Sequence, residues 1–253
     1  MSGHLAIIGL GPGAAELLTP QATAALAAAA ELVGYGPYLD RLPPRPSQRR
    51  HASDNRVEIA RARTALALAA AGARVALVSA GDAGVFGMAS AAFEAIEGGP
   101  AAWRGIAIDV LPGISAMFAV AARIGAPLGH DFCAISLSDN LKPWEVVAQR
   151  LAAAAAAGFV IALYNPASTA RPWQLGAAFD VLRGHLPGSV PVVFATAVTR
   201  PDERIAIDTL ATADPARADM RTLVMIGTAA TRLVARPGAA PWLYTPRGVA
   251  VPA

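Results

Sequence analysis

Short apolar runs alternate with alanine-rich stretches along the chain, and several of the runs end in a turn that contains glycine. The first run, residues 5–8, stops at the turn 9–14, Gly-Leu-Gly-Pro-Gly-Ala. Thr19 and Pro20 then provide the cap and the first position of a helix that alanines extend to residue 31. Unbroken apolar runs of this length are typical of strands in a parallel sheet that is covered on both faces. The pattern therefore predicts an α/β protein.

The same pattern predicts the remaining elements. Strands are expected at residues 32–35, 74–80, 106–111, 132–137, 159–164, 192–197, 205–209 and 222–227, and helices at 54–72, 88–97, 116–124, from 143 onward and at 172–183. One short loop joins the last two strands, which favours antiparallel pairing between them. Residues 41–50 are rich in proline and arginine and predict an exposed loop. The segment 125–129, Gly-Ala-Pro-Leu-Gly, predicts a boundary between a domain of residues 1–127 and a domain of residues 128–253.

Three predicted strands of the first half end in similar turns, at residues 9–14, 81–84 and 112–116. Right-handed crossovers place every such turn at the same edge of a parallel sheet. Ligands bind at that carboxyl-terminal edge in open α/β sheets. We therefore expect the three turns to converge on one ligand site.

The first turn is open to two interpretations. Gly9, Gly11 and Ala14 have the spacing of a dinucleotide-binding turn, which would make the protein a nicotinamide-dependent oxidoreductase. Pro12 removes a backbone N–H that such a turn uses to hold a pyrophosphate. The next predicted strand also ends without the carboxylate that binds the ribose, because Tyr35 stands there. The first turn thus has the spacing of the dinucleotide motif but lacks both the N–H group at residue 12 and the carboxylate that would bind the ribose.

Composition narrows the class of protein. The 253 residues are 55% hydrophobic, which indicates a globular chain of one or two domains, and no apolar run approaches the ~20 residues of a membrane span. The first residues lack the features of a secretory leader, which favours a cytoplasmic protein. Cys133 is the single cysteine and lies in an apolar run, so it is interpreted as a small buried hydrophobe. The four histidines show no metal-ligand spacing, and no metal site is predicted.

The net charge of +3 is modest, but Lys142 is the one lysine among 21 basic residues. Arginine binds carboxylates and phosphates in pairs, so this bias suits an anionic ligand. Arg49, Arg50 and Arg56 flank a loop that we expect at the ligand edge, where they would bind carboxylates or form a solvated surface. The basic residues are interspersed with acids, so nucleic-acid binding is not indicated.

Four motifs occur together in one known family: the first turn, Gly81-Asp82, the segment 112–116 (Pro-Gly-Ile-Ser-Ala) and Tyr164-Asn165-Pro166. On these motifs the chain resembles the tetrapyrrole (corrin/porphyrin) methylases, the S-adenosylmethionine enzymes of cobalamin and sirohaem synthesis. The resemblance runs from about residue 7 to residue 228. Residues 34–39, 136–144 and 164–168 are most similar to members that methylate a corrin precursor.

The resemblance implies two α/β domains of the tetrapyrrole methylase type with the active site in the cleft between them, usually in a homodimer. It also implies methyl transfer from S-adenosylmethionine, with S-adenosylhomocysteine as product. The implied methyl-donor residues are Pro12, Ala80, Gly81, Asp82, Val85, Ser115, Ala116, Tyr164, Ala197 and Gly227. The implied tetrapyrrole-binding residues are Tyr35, Asp139 and Lys142.

The chain departs from the family's pattern at two positions. Ala83 follows the Gly-Asp pair where many members have proline, which we interpret as a subfamily variation. Tyr35 stands where relatives acting on uroporphyrinogen have an aspartate as proton acceptor, which argues against that substrate. Asp82, Tyr35, Asp139 and Lys142 are candidates for proton transfer by placement alone, and none is assigned as catalytic. Another corrin-pathway methyltransferase, such as one acting on the cobalt-precorrin-3 form, is the alternative within the family.

Overall fold

The computed structural model describes residues 3–168 and 170–248, and the chain divides into two compact units after Ser115. The strands of the first unit are β1 His4–Gly9, β2 Glu31–Tyr35, β3 Arg49–Ser53, β4 Arg74–Ser79 and β5 Ala107–Leu111. Its helices are α1 Pro20–Ala28, α2 Gly36–Leu39, α3 Glu58–Ala70 and α4 Met88–Glu97. The strands form one sheet in the order β3-β2-β4-β1-β5, and all neighbouring strands are parallel.

Helices cover both faces of this sheet, as the unbroken apolar runs predict. Leu5 and Ile7 of β1 pack in the cluster that contains residues of α3 and α4. Ala6 and Ile8 pack on the other face with residues of α1. Successive side chains of a strand point to opposite faces, so a strand buried on both faces has no solvated position for a polar residue.

The first helix begins as predicted and ends earlier. The Thr19 hydroxyl accepts a hydrogen bond from the backbone N–H of Ala22 at 3.1 Å, and Pro20 occupies the first helical position. The helix ends at Ala28, because Glu31 already begins β2. Glu31 is buried, and Arg49 and His51 of β3 both bind its carboxylate.

Strand β3 shortens the predicted loop of residues 41–50 to residues 41–48, because β3 begins at Arg49. Arg49 pairs with Glu31 in the parallel register, so Arg49 lies at the amino-terminal edge of the sheet, opposite the predicted ligand edge. Arg50 donates hydrogen bonds to the carbonyl oxygens of Leu39, at 2.9 Å, and Leu42, at 2.8 Å. The sequence did not predict this strand because β3 is an edge strand whose residues are partly exposed, so it lacks an apolar run.

The second unit contains the helices α5 Ala116–Ile124, α6 Trp144–Ala156 and α7 Gln174–Arg183. Its strands are β6 Gly125–Ala126, β7 Phe132–Ser136, β8 Val160–Tyr164, β9 Pro191–Thr196, β10 Arg204–Thr209, β11 Thr222–Ile226, β12 Arg232–Arg236 and β13 Ala239–Tyr244. One sheet has the order β10-β9-β11-β8-β7, and a smaller sheet has the order β12-β13-β6. Strands β7 and β8 are parallel, and the other neighbours in the larger sheet are antiparallel.

The predicted pairing between the last two strands of the larger sheet is wrong. Strands β10 and β11 lie on either side of β9, and each pairs with it in antiparallel register. The connection starts at Thr209, which pairs with Pro191 at the beginning of β9, and ends at Thr222, which pairs with Thr196 at its end, so it runs back along the length of β9. All residues of β11 are buried and those of β10 are mostly half-buried, which matches an interior strand and an edge strand.

The division after Ser115 differs from the predicted boundary at 127/128. Helix α5 packs on β6, β11 and β13, so it belongs with the second unit although it precedes the Gly-Ala-Pro-Leu-Gly segment. That segment starts with β6, which pairs with β13. No helix among the described residues is long and apolar enough to cross a membrane.

Candidate active site

The three glycine turns of the first unit converge, as the sequence predicts. They follow β1, β4 and β5, which are neighbours in the sheet. Gly11 and Gly81 exchange two backbone hydrogen bonds, from Gly11 N to Gly81 O at 3.0 Å and from Gly81 N to Gly11 O at 2.9 Å. Gly113 N donates to Asp82 Oδ2 at 3.0 Å. The carboxyl-terminal edge of this sheet is therefore one connected surface of backbone groups.

Side chains are excluded where these turns meet. A Cβ atom at Gly113 would lie 2.3 Å from Gly81 O, and one at Gly9 would lie 2.7 Å from Gly113 N. Gly11 and Gly81 also have φ values of +67° and +62°, in the left-handed region that favours glycine. These glycines let the three turns lie close enough for backbone contact.

Asp82 joins the second turn to the third. Its Oδ1 accepts a hydrogen bond from Gly84 N at 2.8 Å, and its Oδ2 accepts one from Gly113 N. Both carboxylate oxygens are thus engaged by backbone donors. Asp82 fixes the relative position of two turns, which explains an acidic residue in a glycine-rich segment without a proton-transfer role.

The other predicted donor-binding residues of the first unit lie on the same edge. Pro12 and Ser115 are buried, whereas Ala80, Gly81 and Val85 are half-buried. Phe86, which follows Val85, is exposed and has a φ of +52°. A bulky residue in this conformation stores backbone strain, which is typical of functional sites.

Tyr35 ends the neighbouring strand β2 and is half-buried. Its ring meets the ring of Tyr38 edge to face, with centroids 5.1 Å apart. Arg61 lies in the same region: it is 5% exposed and donates from Nε to Ser53 Oγ at 2.7 Å, and Ser53 Oγ donates to the carbonyl of Gly34. Burial lowers the pKa of Arg61.

Sequence reasoning missed Arg61. It stands on the apolar face of α3 between alanines and leucines, and an arginine at such a position was the available signal. Arg56, by contrast, is exposed and has a φ of +65°.

In the second unit, three predicted donor-binding residues lie at one edge of the larger sheet. Tyr164 ends β8, and Ala197 directly follows β9, which runs in the same direction as β8. The Tyr164 hydroxyl accepts a hydrogen bond from Met117 N at 3.2 Å, which brings the start of α5, and with it Ala116, to this edge. Ala197 is buried with a φ of +52°, a conformation that costs an L-residue about 1–2 kcal/mol.

Gly227 does not join this group, which corrects its place among the donor-binding residues. Gly227 follows β11, which runs antiparallel to both β8 and β9. Its N–H donates to Pro191 O at 2.9 Å, at the beginning of β9, whereas Ala197 lies beyond the end of that strand. The six residues of β9 span roughly 20 Å. Gly227 and Ala197 are separated because β9 and β11 run in opposite directions, which the sequence did not specify.

Asp139 and Lys142 follow β7, whose last residue, Ser136, pairs with Tyr164. They therefore lie at the same edge as Tyr164. Asp139 Oδ1 accepts from Arg171 Nη1 at 3.0 Å, and Asp139 Oδ2 accepts from Gln174 Nε2 at 3.2 Å. Burial alone would raise the pKa of Asp139, but the hydrogen bonds from Arg171 and Gln174 outweigh it and hold the pKa below its usual value. Sequence reasoning did not identify Arg171 or Gln174.

Lys142 is half-buried, and its Nζ donates to the carbonyl oxygen of Ser138 at 3.2 Å. Burial lowers the pKa of Lys142, and the charge of Arg150 lowers it further, while Asp139 raises it. Within residues 3–168 and 170–248, Lys142 has no carboxylate within ion-pair distance. The loop thus carries an ammonium group that forms no ion pair with a carboxylate of the described residues.

The described residues contain no group of three histidine, cysteine, aspartate or glutamate side chains that could hold a metal ion. Cys133 is half-buried and packs against the core of the second unit. Burial raises the pKa of its thiol, which disfavours the nucleophilic thiolate.

Comparison with known proteins finds methyltransferases of similar sequence. The chain is 62% identical over 247 residues to "Precorrin-3B C(17)-methyltransferase" of Sinorhizobium sp., a match that covers 98% of this chain and 97% of the relative. It is 38% identical to a "Probable cobalt-factor III C(17)-methyltransferase" of Salmonella typhimurium, covering 90% of this chain and 93% of the relative.

The crystal structure of the methyltransferase CobJ superimposes with a TM-score of 0.92 at 51% identity, covering 97% of this chain and all of that one. The family model described as Tetrapyrrole (Corrin/Porphyrin) Methylases matches residues 4–214, which include every turn described above. The chain is therefore a methyltransferase that belongs to the tetrapyrrole methylase family.

Proposed function

We propose that this protein transfers a methyl group from S-adenosylmethionine to C17 of precorrin-3B, with ring contraction to precorrin-4. The observation that carries the proposal is the 62% identity, over nearly the full length of both chains, to a protein named for that reaction. The turn geometry supports a ligand that approaches backbone closely, because side chains are excluded where the three turns meet.

The proposed donor-binding residues of the first unit lie at the carboxyl-terminal edge of its sheet and are Pro12, Ala80, Gly81, Asp82, Val85 and Ser115. Those of the second unit lie at the edge of its larger sheet where β8 and β9 end and are Ala116, Tyr164 and Ala197. Gly227 is omitted because it lies at the opposite edge of its sheet. Tyr35, Asp139 and Lys142 are proposed on the tetrapyrrole side of the reaction. Lys142 suits a substrate that carries acetate and propionate groups, since it is a cation without a carboxylate partner in the described structure.

In the proposed reaction, C17 of the ring attacks the methyl carbon of the donor as the bond from that carbon to sulfur breaks. The electron pair of the broken bond stays on sulfur, and S-adenosylhomocysteine leaves. The sulfonium is already activated, so the protein contributes mainly by aligning the methyl group with C17 and by excluding water. Ring contraction requires proton transfers in addition. The bonding of Asp82 and Asp139 to other protein groups disfavours both for that role, which leaves Tyr35 as the candidate, since Lys142 is proposed to bind a substrate carboxylate.

Two alternatives make different predictions. A nicotinamide-dependent oxidoreductase would use free N–H groups of the first turn, but Gly11 N donates to Gly81 O, which disfavours that use. A substrate that already holds cobalt is suggested by the 38% identical relative, and the higher identity to the precorrin-3B enzyme favours the metal-free substrate.

The deciding experiment is mass spectrometry of the product formed from precorrin-3B and S-adenosylmethionine labelled in the methyl group. A gain of one labelled methyl at C17 is expected, and cobalt-factor III run in parallel tests the alternative substrate. In a separate assay, S-adenosylhomocysteine should raise the unfolding temperature and NADPH should not. Protection by NADPH alone would contradict the proposal. The homodimer and the cytoplasmic location remain expectations, and light scattering during size-exclusion chromatography tests the first.

A further inference from the structure

The loop after β7 contains two opposite charges that do not pair with each other. Asp139 and Lys142 are three positions apart, and the charge of Asp139 acts on the Lys142 ammonium. The carboxylate nevertheless binds Arg171 and Gln174, and the ammonium binds a neutral carbonyl oxygen. An aspartate so close to a lysine would ordinarily be its nearest counter-ion, so something in the fold keeps the two apart.

Arg171 is the group that separates them. Its Nη1 donates to Asp139 Oδ1 at 3.0 Å and to Ser138 Oγ at 2.8 Å. The same residue, Ser138, accepts the Lys142 hydrogen bond on its backbone oxygen. Arg171 and Asp139 are 19% and 25% exposed, so water screens their pairing only partly. One guanidinium therefore neutralises the aspartate and holds the residue that orients the lysine.

Gln174 completes the arrangement from the first turn of α7. It is 2% exposed, and its Nε2 donates to the second oxygen of Asp139 at 3.2 Å. Each oxygen of the Asp139 carboxylate therefore accepts a hydrogen bond from a protein side chain, one from Arg171 and the other from Gln174. A free carboxylate beside the lysine would also repel an anionic substrate. The hydrogen bonds from Arg171 and Gln174 to Asp139 reduce that repulsion.

We propose that Arg171 is a positioning residue that sequesters the Asp139 carboxylate and thereby keeps Lys142 free to bind a carboxylate of the tetrapyrrole substrate. The part that concerns the substrate rests on the proposed function; the pairing of charges within the loop does not. Asp139 then acts by holding the loop and makes no contact with the substrate. Without Arg171, Asp139 captures Lys142 and blocks its use.

Because Lys142 is the single lysine of the sequence, its pKa can be measured directly. Reductive methylation with ¹³C-formaldehyde labels Lys142 and the terminal amine, which titrate separately, and NMR then reports the pKa of Lys142. We expect Arg171→Met to raise that pKa, because the freed carboxylate stabilises the ammonium. The double variant Arg171→Met/Asp139→Asn should bring it back to the wild-type value or below. Arg183→Met is the control, since Arg183 ends α7, the helix that begins with Gln174, and pairs with Asp180 at 2.9 Å; it should leave the pKa unchanged.

Steady-state kinetics test the consequence for the substrate. Lys142→Met and Arg171→Met should each raise KM for precorrin-3B about tenfold while the affinity for S-adenosylhomocysteine stays the same. Adding Asp139→Asn to Arg171→Met should recover most of the loss, which a merely structural role for Arg171 would not allow. Thermal unfolding identifies any variant that fails to fold.

The outcomes separate the two hypotheses. An unchanged Lys142 pKa in folded Arg171→Met, or no recovery in the double variant, overturns the role of Arg171. If the pKa responds as expected but wild-type protein does not methylate precorrin-3B, the proposed function fails while the separation of charges within the loop stands. If methylation occurs and Lys142→Met leaves KM unchanged, the lysine does not bind the substrate and the inference is wrong.

Discussion

The Asp82 carboxylate accepts a hydrogen bond from the backbone N–H of Gly113 at 3.0 Å and so connects the turns after β4 and β5. Its other oxygen accepts from Gly84 within its own turn. Asp82, a candidate for proton transfer on its sequence position, therefore holds two turns in place. The proposed donor site depends on turns whose positions are fixed by this carboxylate and by the absence of side chains beside it.

Replacing Asp82 with Asn should weaken binding of S-adenosylhomocysteine about tenfold, because the amide group can accept from only one of the two N–H groups and loses the charge. Isothermal titration calorimetry measures the affinity. Asp109→Asn is the control, since Asp109 lies in the same sheet and binds His4 at 2.8 Å away from the turns. Equal affinities in wild type and Asp82→Asn would remove Asp82 from the proposed donor site.

Gly113→Ala should disrupt the same site by crowding. The added Cβ would lie 2.3 Å from Gly81 O, so the second and third turns must move apart. We expect loss of S-adenosylhomocysteine binding and a lower unfolding temperature. Gly105→Ala is the matched control, because a Cβ at Gly105 meets nothing within 4 Å. Retention of full donor affinity in Gly113→Ala would show that the close approach of these turns is not needed for binding.

The pKa of Lys142, lowered mainly by burial, predicts a pH dependence of substrate binding. The ammonium should lose its proton at a lower pH than an ordinary lysine, whose pKa is 10.5. In the profile of kcat/KM against pH, which reports groups of the free enzyme, activity should therefore fall on the alkaline side before an ordinary lysine would titrate. The Lys142→Met variant should lack this limb, and an identical profile in that variant would assign the limb to another group.

Glu31 predicts a pH dependence of stability. Burial raises the pKa of Glu31, but hydrogen bonds from His51 and Arg49 outweigh it and leave the pKa below its ordinary value. A lowered pKa means that the stabilisation is present above the unfolded-state pKa of about 4.3 and is lost as the pH falls from there through the folded-state value. Denaturant titrations between pH 3 and pH 7 should show this loss.

Glu31→Gln removes the charge while keeping the shape, so it isolates that contribution. It should cost about 1–3 kcal/mol of unfolding free energy at neutral pH, since hydrogen bonds to a charged group are lost, and the acid-dependent loss should become smaller. Donor affinity should not change, because Glu31 lies at the edge of the sheet opposite the turns. An acid dependence as steep as that of the wild type would indicate that other carboxylates cause it.

The sequence by itself predicted four of the five strands of the first unit's sheet and the meeting of its three turns. Apolar runs that alternate with helices allow few arrangements, because crossovers between parallel strands are right-handed and strand ends then share one edge. Gly11 and Gly81 meet a local requirement, since their left-handed φ values favour glycine. Gly9 and Gly113 are required because a Cβ atom there would collide with the backbone of another turn. Three of the four motifs that carry the family resemblance lie in these turns, and the fourth, at residues 164–166, follows β8 in the second unit.

Only the tertiary structure decided which distant residues became neighbours. Strand direction in the second unit's mixed sheet placed Gly227 opposite Ala197, although both residues follow apolar strands in the same way. Arg171 is 32 positions from Asp139 in sequence, and Arg61 is buried on a helix whose pattern does not reveal what lies against it. Periodicity specifies which face of an element is buried but not the partner it meets, because pairing between distant elements depends on the packing of the whole unit.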